Sequence, residues 1–437
     1  MIPMVKTFPQ LGFHYYPDDR HYTDQDLSTW LPVLASLGAQ WLTIRGSTRR
    51  AVPEGFIKGC IESGIEPIIH IPHPVGKIDE PSLRPILESY SRWGARFVII
   101  YDRPNLKDRW ANAAWSTKGL VERFVDLALP TLHLVRSSGL APVLPPLEPG
   151  GDYWDTAFLE GVLKSIKRRR HQSLLRDLNL SFYAWTYDRP IDWGIGGPKE
   201  WEGARPYRST EDSQDHIGFR IFDWYDSIGL NVTGELMPLI CVGSGVNRRY
   251  TSATADQHAE QSLSMLKLME SSDLPTTVRN LNFYLLACES NHKDYDNAWF
   301  PSVGSPISSV TALHKYFSKN KQAVRKPLRH YILLPEGMDI QEVVSHTEVA
   351  SILRKHSPVV GSSPFEARLA QTVTLVGGNG ELSPSIENDL NHAGCNVKRI
   401  SLEEQAEILE EDVIADKQDQ IQAIINRLVN ENGRREK

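Results

Sequence analysis

Over its first three hundred or so residues this chain alternates short apolar segments with amphipathic ones eight times, and that alternation constrains its fold more than any other feature. The apolar segments are 11–16, 41–45, 66–71, 96–101, 141–145, 180–187, 237–242 and 281–288. Between them, stretches such as 23–37, 82–93, 117–137 and 156–169 repeat apolar residues at helical spacing behind polar or proline entry signals. A strand followed by a helix sets the next strand parallel to the first, and eight such units predict a closed (β/α)8 TIM barrel. The stretch 188–214, rich in Gly, Pro, Trp and charge, is too long for a simple turn and reads as a loop roofing the active face.

Near Lys326 and Pro327 the pattern resets. A new strand, His330-Tyr331-Ile332-Leu333-Leu334, is followed by Thr372-Val373-Thr374-Leu375-Val376, a Gly377-Gly378 turn, an acidic helix over 383–393 and a strand over 396–400. Strand, glycine turn, helix, strand is a small doubly wound α/β arrangement. We therefore expect a barrel over 1–325 and a small α/β domain over 326–437, its end helical from Glu403 and polar and frayed after Asn430. Gly377-Gly378 reads as a tight turn rather than a phosphate cradle, since the fuller glycine fingerprint and a lysine are missing.

Composition narrows the function. A formal net charge of −6 offers no basic stripe for nucleic acid. No apolar run approaches the roughly 20 residues of a membrane-spanning helix. The amino terminus shows no signal core or cleavage site, which points to a cytoplasmic protein or a processed secreted form. Cys60, Cys241, Cys288 and Cys395 stand far apart in apolar contexts and read as buried thiols. No motif asks for a cofactor or metal.

In a parallel barrel, chemistry gathers at the carboxyl ends of the strands. That rule selects His14, Tyr15 and Tyr16 from the first strand, Arg45 from the second, His70 and His73 from the third, and Tyr101 and Asp102 from the fourth. Glu148 and Asp152 follow the fifth strand, Trp185, Tyr187 and Asp188 come from the sixth, and Glu289 and His292 follow the eighth. Tyr15, Arg45, His70, Tyr101, Asp102, Trp185, Tyr187 and Asp188 form a set of aromatic, cationic and acidic groups suited to stacking on sugar rings and bonding their hydroxyls. Asp102 reads equally well as an ion-pair partner, Glu148 and Glu289 as solvated loop acids, and His70 and His73, which suggest a pocket wall, as hydrogen-bonded core histidines.

The fourth strand carries a family resemblance. Phe97-Val98-Ile99-Ile100-Tyr101-Asp102-Arg103-Pro104 resembles the strand-four end of the clan A glycoside hydrolases, where Asn-Glu-Pro supplies the general acid/base. Arg45, in Thr43-Ile44-Arg45-Gly46, resembles the clan's strand-two arginine that orients the nucleophile, and Tyr183 with Trp185 resembles a strand-six aromatic pair. The resemblance implies a (β/α)8 barrel acting on carbohydrate.

Two departures weigh against hydrolysis. Arg103 stands where the clan holds its acid/base, and Gly243 follows Pro238-Leu239-Ile240-Cys241-Val242 where the nucleophile is expected. A tryptophan common after strand eight is missing from the Cys288-Glu289-Ser290 neighbourhood. Arginine donates no proton near neutral pH, and glycine supplies no carboxylate. Further along, Val376-Gly377-Gly378, Leu382-Ser383 and Gly394-Cys395-Asn396-Val397-Lys398-Arg399-Ile400 together resemble a single bacterial cell-wall-binding repeat of type 2. We expect a glycosidase-like pseudoenzyme that binds a carbohydrate or glycan, with attachment or a protein partner assigned to the second domain. The alternative is an active hydrolase with relocated carboxylates drawn from Asp102, Glu148 and Glu289.

Overall fold

The computed structural model describes residues 10–401 apart from 112–114, 116, 117, 272, 320–327, 336, 339–342, 344, 345 and 357. The start of the predicted helix at 117, the 326–327 reset and the helix and tail beyond Glu403 lie outside the described residues. The chain divides into two compact units, Met1–Lys319 and Asn320–Lys437.

In the first unit the strands are β1 (Gln10–His14), β2 (Trp41–Arg45), β3 (Glu66–Ile71), β4 (Phe97–Ile100), β5 (Ala141–Val143), β6 (Leu180–Trp185), β7 (Leu239–Gly245) and β8 (Asn280–Phe283). They pair in parallel in the order β5-β4-β3-β2-β1-β8-β7-β6. The ring closes between β5 and β6 through Asn179, whose N–H donates to Pro142 O at 2.9 Å and whose carbonyl accepts from Leu144 N at 2.9 Å. This is the (β/α)8 barrel expected from the alternation.

Eight of its outer helices matter for the site: α1 (Asp24–Ser36), α2 (Glu54–Glu62), α3 (Glu80–Arg92), α4 (Leu120–Ser137), α5 (Asp155–Arg168), α6 (Gln172–Asp177), α7 (Ile221–Thr233) and α8 (Ala255–Glu270). Polar caps set the starts of two of them. Thr23 and Asp26 close a capping box on α1, as Thr254 and Gln257 do on α8.

Period-two alternation gives each strand two faces. Phe13, Leu42, Ile69, Ile100 and Phe182 face the helices in the main core, while Trp41, Ile68, Ile99, Val143, Ile240 and Val242 fill the barrel's interior. The interior also holds a polar plug. Asn282 Nδ2 donates to Thr43 Oγ1 at 2.8 Å, and Asn280 Nδ2 donates to Cys241 O at 2.8 Å. Gly12 is required beside this plug, because a Cβ there would collide with Asn282 Oδ1 and the Trp41 carbonyl.

β1, β5 and β6 each stop two residues before the expected ends at 16, 145 and 187, and two further strand ends differ more. β7 runs on through Gly243, Ser244 and Gly245, with a register shift opposite Phe182 and Tyr183. β8 stops at Phe283 although the apolar run continues to Cys288. The reason is a change of partner, since Leu285 N donates to Asn297 O at 3.1 Å and Trp299 N to Leu285 O at 2.8 Å.

The second unit has strands β9 (Leu328–Leu333), β10 (Val359–Gly361), β11 (Ala370–Val376) and β12 (Asn396–Ile400), all parallel in the order β10-β9-β11-β12. Between β9 and β10 lies α9 (Thr347–His356), between β10 and β11 α10 (Pro364–Ala367), and between β11 and β12 α11 (Pro384–His392). Tyr331, Leu333, Val373 and Leu375 are buried on one face, and Ile332, Leu334, Val349 and Val376 in a second cluster on the other. Both faces are thus covered, as a doubly wound sheet requires. The short β10 escaped sequence reading because Val359-Val360-Gly361 is only three residues long. Gly377, at φ +129°, makes the turn after β11, and Glu381 Oε2 takes up the Gly378 N–H at 2.9 Å. The turn therefore holds its own carboxylate.

Candidate functional site

The backbone turns sharply where β4 and β6 reach the mouth of the barrel. Tyr101 (φ 74°), Arg103 (φ 48°), Tyr187 (φ 48°) and Asp188 (φ 49°) all adopt the left-handed region. Each such non-glycine residue costs on the order of 1 to 2 kcal/mol, and such conformations cluster at functional sites. Local bonds hold them, Tyr101 N to Ile71 O at 3.0 Å and Arg103 N to Pro146 O at 2.9 Å. One result is that Tyr101 packs against Phe124 of α4 at 6.1 Å, its hydroxyl donating to Gly76 O at 2.8 Å, while Asp102 faces the mouth.

Arg103 is the centre of the mouth. Its Nε and Nη2 donate to Asp102 Oδ2 at 2.9 and 2.8 Å, and its Nη1 donates to Glu148 Oε2 at 3.2 Å. Arg109 Nη1 adds a longer contact to Asp102 Oδ2 at 3.8 Å. Tyr183 OH donates to Asp102 Oδ1 at 3.0 Å, and Tyr250 OH donates to Glu148 Oε1. Asn105 fixes the backbone of Glu148 from both sides, donating to its carbonyl at 2.8 Å and accepting from its N–H at 2.9 Å. Burial by itself raises a carboxyl pKa. At Asp102 the neighbouring Arg103, with His70 and Arg109, outweighs burial and holds the group well below the usual carboxylate range. Burial likewise opposes the charge on Arg103, but Asp102, then Tyr183 and Glu148, keep it charged. Burial and the Asp102 charge hold Tyr183 protonated, so it remains a donor.

Beside this ionic cluster lies an aromatic layer. Tyr183 and Trp185 stack at 5.2 Å and 17°, and Tyr284, immediately after β8, meets Trp185 edge-on at 5.3 Å. Trp185 is only 3% exposed, which places the proposed stacking platform inside the layer rather than at a free surface. Tyr187 and Tyr250, 5.1 Å apart, are half-buried at its rim. The layer fills the space over Gly243. A Cβ there would lie 3.1 Å from Tyr284 Cδ2, 3.2 Å from Trp185 Cη2 and 3.5 Å from Tyr183 Cδ1.

The other sequence candidates divide. His14 and His70 join the mouth. His70 Nε2 donates to Tyr101 O at 3.0 Å and lies 3.9 Å from Asp102 Oδ1. Burial lowers both imidazoles, that of His14 to about 3. Arg45 is exposed at the end of β2, with Nη1 donating to Pro17 O at 2.8 Å. Tyr15 is fully buried in the helix-facing core against Phe56 and Trp30, away from the interior face, and Tyr101 shares that layer. Tyr16 stacks on His21. His73 donates to Pro74 O at 2.7 Å, Asp152 accepts from Lys107 N at 2.8 Å, and His292 Nδ1 accepts from Asp294 N at 3.2 Å. Asp188 is exposed and accepts from Thr251. Glu289 pairs with Arg20 at 3.5 Å and His21 at 3.4 Å, a different neighbourhood from that of Arg103.

Asn105, Arg109, Tyr250 and Tyr284 belong to the mouth yet were not selected from sequence. All follow strand ends, which is the signal that could have found them. Among the described residues no cluster of three or more His, Cys, Asp or Glu is placed to hold a metal ion, and no helix is long and apolar enough to cross a membrane.

No protein-family model matches the chain, and no curated protein sequence does. Among solved structures it is similar to a family 39 glycoside hydrolase from Bacteroides cellulosilyticus WH2, at 12% identity and TM-score 0.47, over 71% of this chain and 64% of that one. It is also similar to a monomeric β-xylosidase from Caulobacter crescentus CB15, at 12% identity and TM-score 0.42, over 71% and 68% of the two chains. A third is Bacteroides uniformis β-glucuronidase 2, at 11% identity and TM-score 0.44, over 76% and 38%. The chain thus spans somewhat less than two thirds of the first of these. Similarity at this level carries no argument about chemistry, and the barrel stands on its own strand order and register.

Proposed function

We propose that the barrel is a glycosidase-like carbohydrate-binding module that does not hydrolyse its ligand by the two-carboxylate route, joined to a small α/β unit that serves attachment or assembly. The observation that carries this reading is the position of the Arg103 guanidinium between Asp102 and Glu148. Retaining hydrolysis needs a nucleophile and a proton donor about 5 Å apart, and inverting hydrolysis an acid and a base with room for water between them. A proton donor must hold its proton near working pH. Asp102 does the opposite, and both its oxygens are engaged by Arg103 and Tyr183. Gly243, under three rings, supplies no substitute. For binding, the half-buried rings of Tyr187 and Tyr250 offer stacking surfaces, and Arg45 and Asp188 offer exposed polar contacts.

One observation favours the alternative of relocated catalysis, namely that two carboxylates converge on a single guanidinium at the mouth. A glycan array on the native protein, followed by hydrolysis assays on every bound saccharide, tests both readings. Binding without turnover is expected. Tyr187→Ala should weaken it about tenfold, in line with the roughly 1 to 2 kcal/mol of one stacking ring. Failure to bind any saccharide would refute the binding role, and turnover lost in Glu148→Gln would establish the alternative.

A further inference from the structure

Next to the mouth, the loops β1–α1 and β2–α2 enclose a cleft of about 190 Å³ lined by Asp19, Arg20, Thr23, Arg45, Ser47 and Arg50, among others. Its walls carry three guanidiniums against one carboxylate. None of the three is spent on a tight pair. Arg50 lies 3.7 Å from Asp19 Oδ2 and donates to the Asp19 carbonyl at 2.6 Å, with 65% of its side chain exposed. Arg20 lies 3.8 Å from Asp18 and 3.5 Å from Glu289, with 64% exposed. Among the described residues the Arg45 guanidinium makes one hydrogen bond, to the Pro17 carbonyl, and no ion pair. Loose, exposed pairs of this kind contribute little and exchange readily for a better partner, and each guanidinium has five donors to offer.

Arg45 also connects the cleft to the mouth. It is the register partner of His70, and the next residue's N–H, that of Gly46, donates to His70 O at 2.8 Å. His70 in turn borders Asp102 at 3.9 Å. A saccharide over the mouth would therefore extend a substituent toward three arginines and the Ser47 and Thr23 hydroxyls. An oxyanion, whether a planar carboxylate or a tetrahedral sulfate, presents two oxygens to the guanidinium fork for two parallel hydrogen bonds, which a neutral hydroxyl does not.

We propose that this cleft is an oxyanion subsite and that the carbohydrate taken by the barrel is acidic, carrying a uronate carboxylate or a sulfate ester. The proposal rests on the carbohydrate-binding reading above and adds its ligand class. Isothermal titration of the full chain against size-matched uronate, sulfated and neutral oligosaccharides tests it, with Arg50→Gln and Arg20→Gln as exposed variants that keep the fold. At least one acidic series should bind about tenfold or more tightly than the neutral one, with affinity falling as salt rises. Arg50→Gln should weaken that series about tenfold and leave neutral saccharides unchanged. The uronate and sulfate arms identify which oxyanion the cleft accepts. Neutral saccharides that bind as tightly as acidic ones, or an Arg50→Gln effect equal on both, would overturn the acidic subsite and leave the carbohydrate reading standing. Absence of binding by all three series would overturn both.

Discussion

At Asp102 the depressed pKa becomes a measurable pH dependence. The unfolded carboxyl titrates near 3.9, and the folded one well below it because Arg103, with His70 and Arg109, outweighs burial. Below about pH 4 the unfolded chain therefore takes up a proton that the folded chain refuses, and the stability contributed by this group is lost as pH falls. Asp102→Asn should cost about 3 kcal/mol at pH 7, since it breaks an ion pair whose acid is buried and leaves the part-buried Arg103 guanidinium with Glu148 alone. In urea titrations the gap between wild type and variant should narrow below about pH 4, and a gap independent of pH would contradict the ion-pair account. His14 gives a second slope. Its folded pKa of about 3, set first by burial and then by His70 and Arg45, lies below the unfolded value of 6.5, so stability falls as pH drops from about 6.5 toward 3. His14→Gln should flatten that part of the profile. Sequence reading found Asp102 because a strand end marks it. It could not find the arrangement around Asp102, because Arg103 reaches Glu148 across 45 residues and Tyr183 reaches Asp102 across 81.

At the scale of elements, alternation made the faces of β6 legible but not their depth. Tyr183 and Trp185 share one side of the strand by parity, and Tyr187 follows its end. Which of them is free depends on Tyr250 after β7 and Tyr284 after β8, residues far away in sequence. Trp185 is consequently packed inside the barrel, and Trp185→Ala should lower barrel stability by about 3 to 5 kcal/mol, the usual range for truncating a buried large aromatic. Denaturant unfolding checks this, and a loss under 1 kcal/mol would place the ring at a free surface instead. Gly243→Glu is the converse case. The backbone there is ordinary, yet the three rings already crowd a Cβ at 3.1 to 3.5 Å, so the longer glutamate must push them aside and should destabilise the barrel without creating a hydrolase. The end of β8 was overextended for a related reason, since Leu285 is apolar but bonds to Asn297 and Trp299 rather than to a barrel strand, and Leu286 is shared, its N–H donating to His14 O of β1 and its carbonyl accepting from Phe300 N.

For the whole molecule, two contact-defined units, each with its own buried clusters, imply separable stability. Calorimetry should resolve two transitions, with Trp185→Ala shifting only that of the barrel. One joint transition shifted as a whole would contradict independent units. The central claim concerns the barrel mouth, where a guanidinium stands between two carboxylates. Its most direct test is product release by the unmodified protein, measured chromatographically over a long incubation with a saccharide already shown by titration to bind. Bound ligand should be recovered intact, with no more cleavage than in buffer alone, whereas catalytic turnover abolished by Glu148→Gln would show that the mouth hydrolyses its ligand.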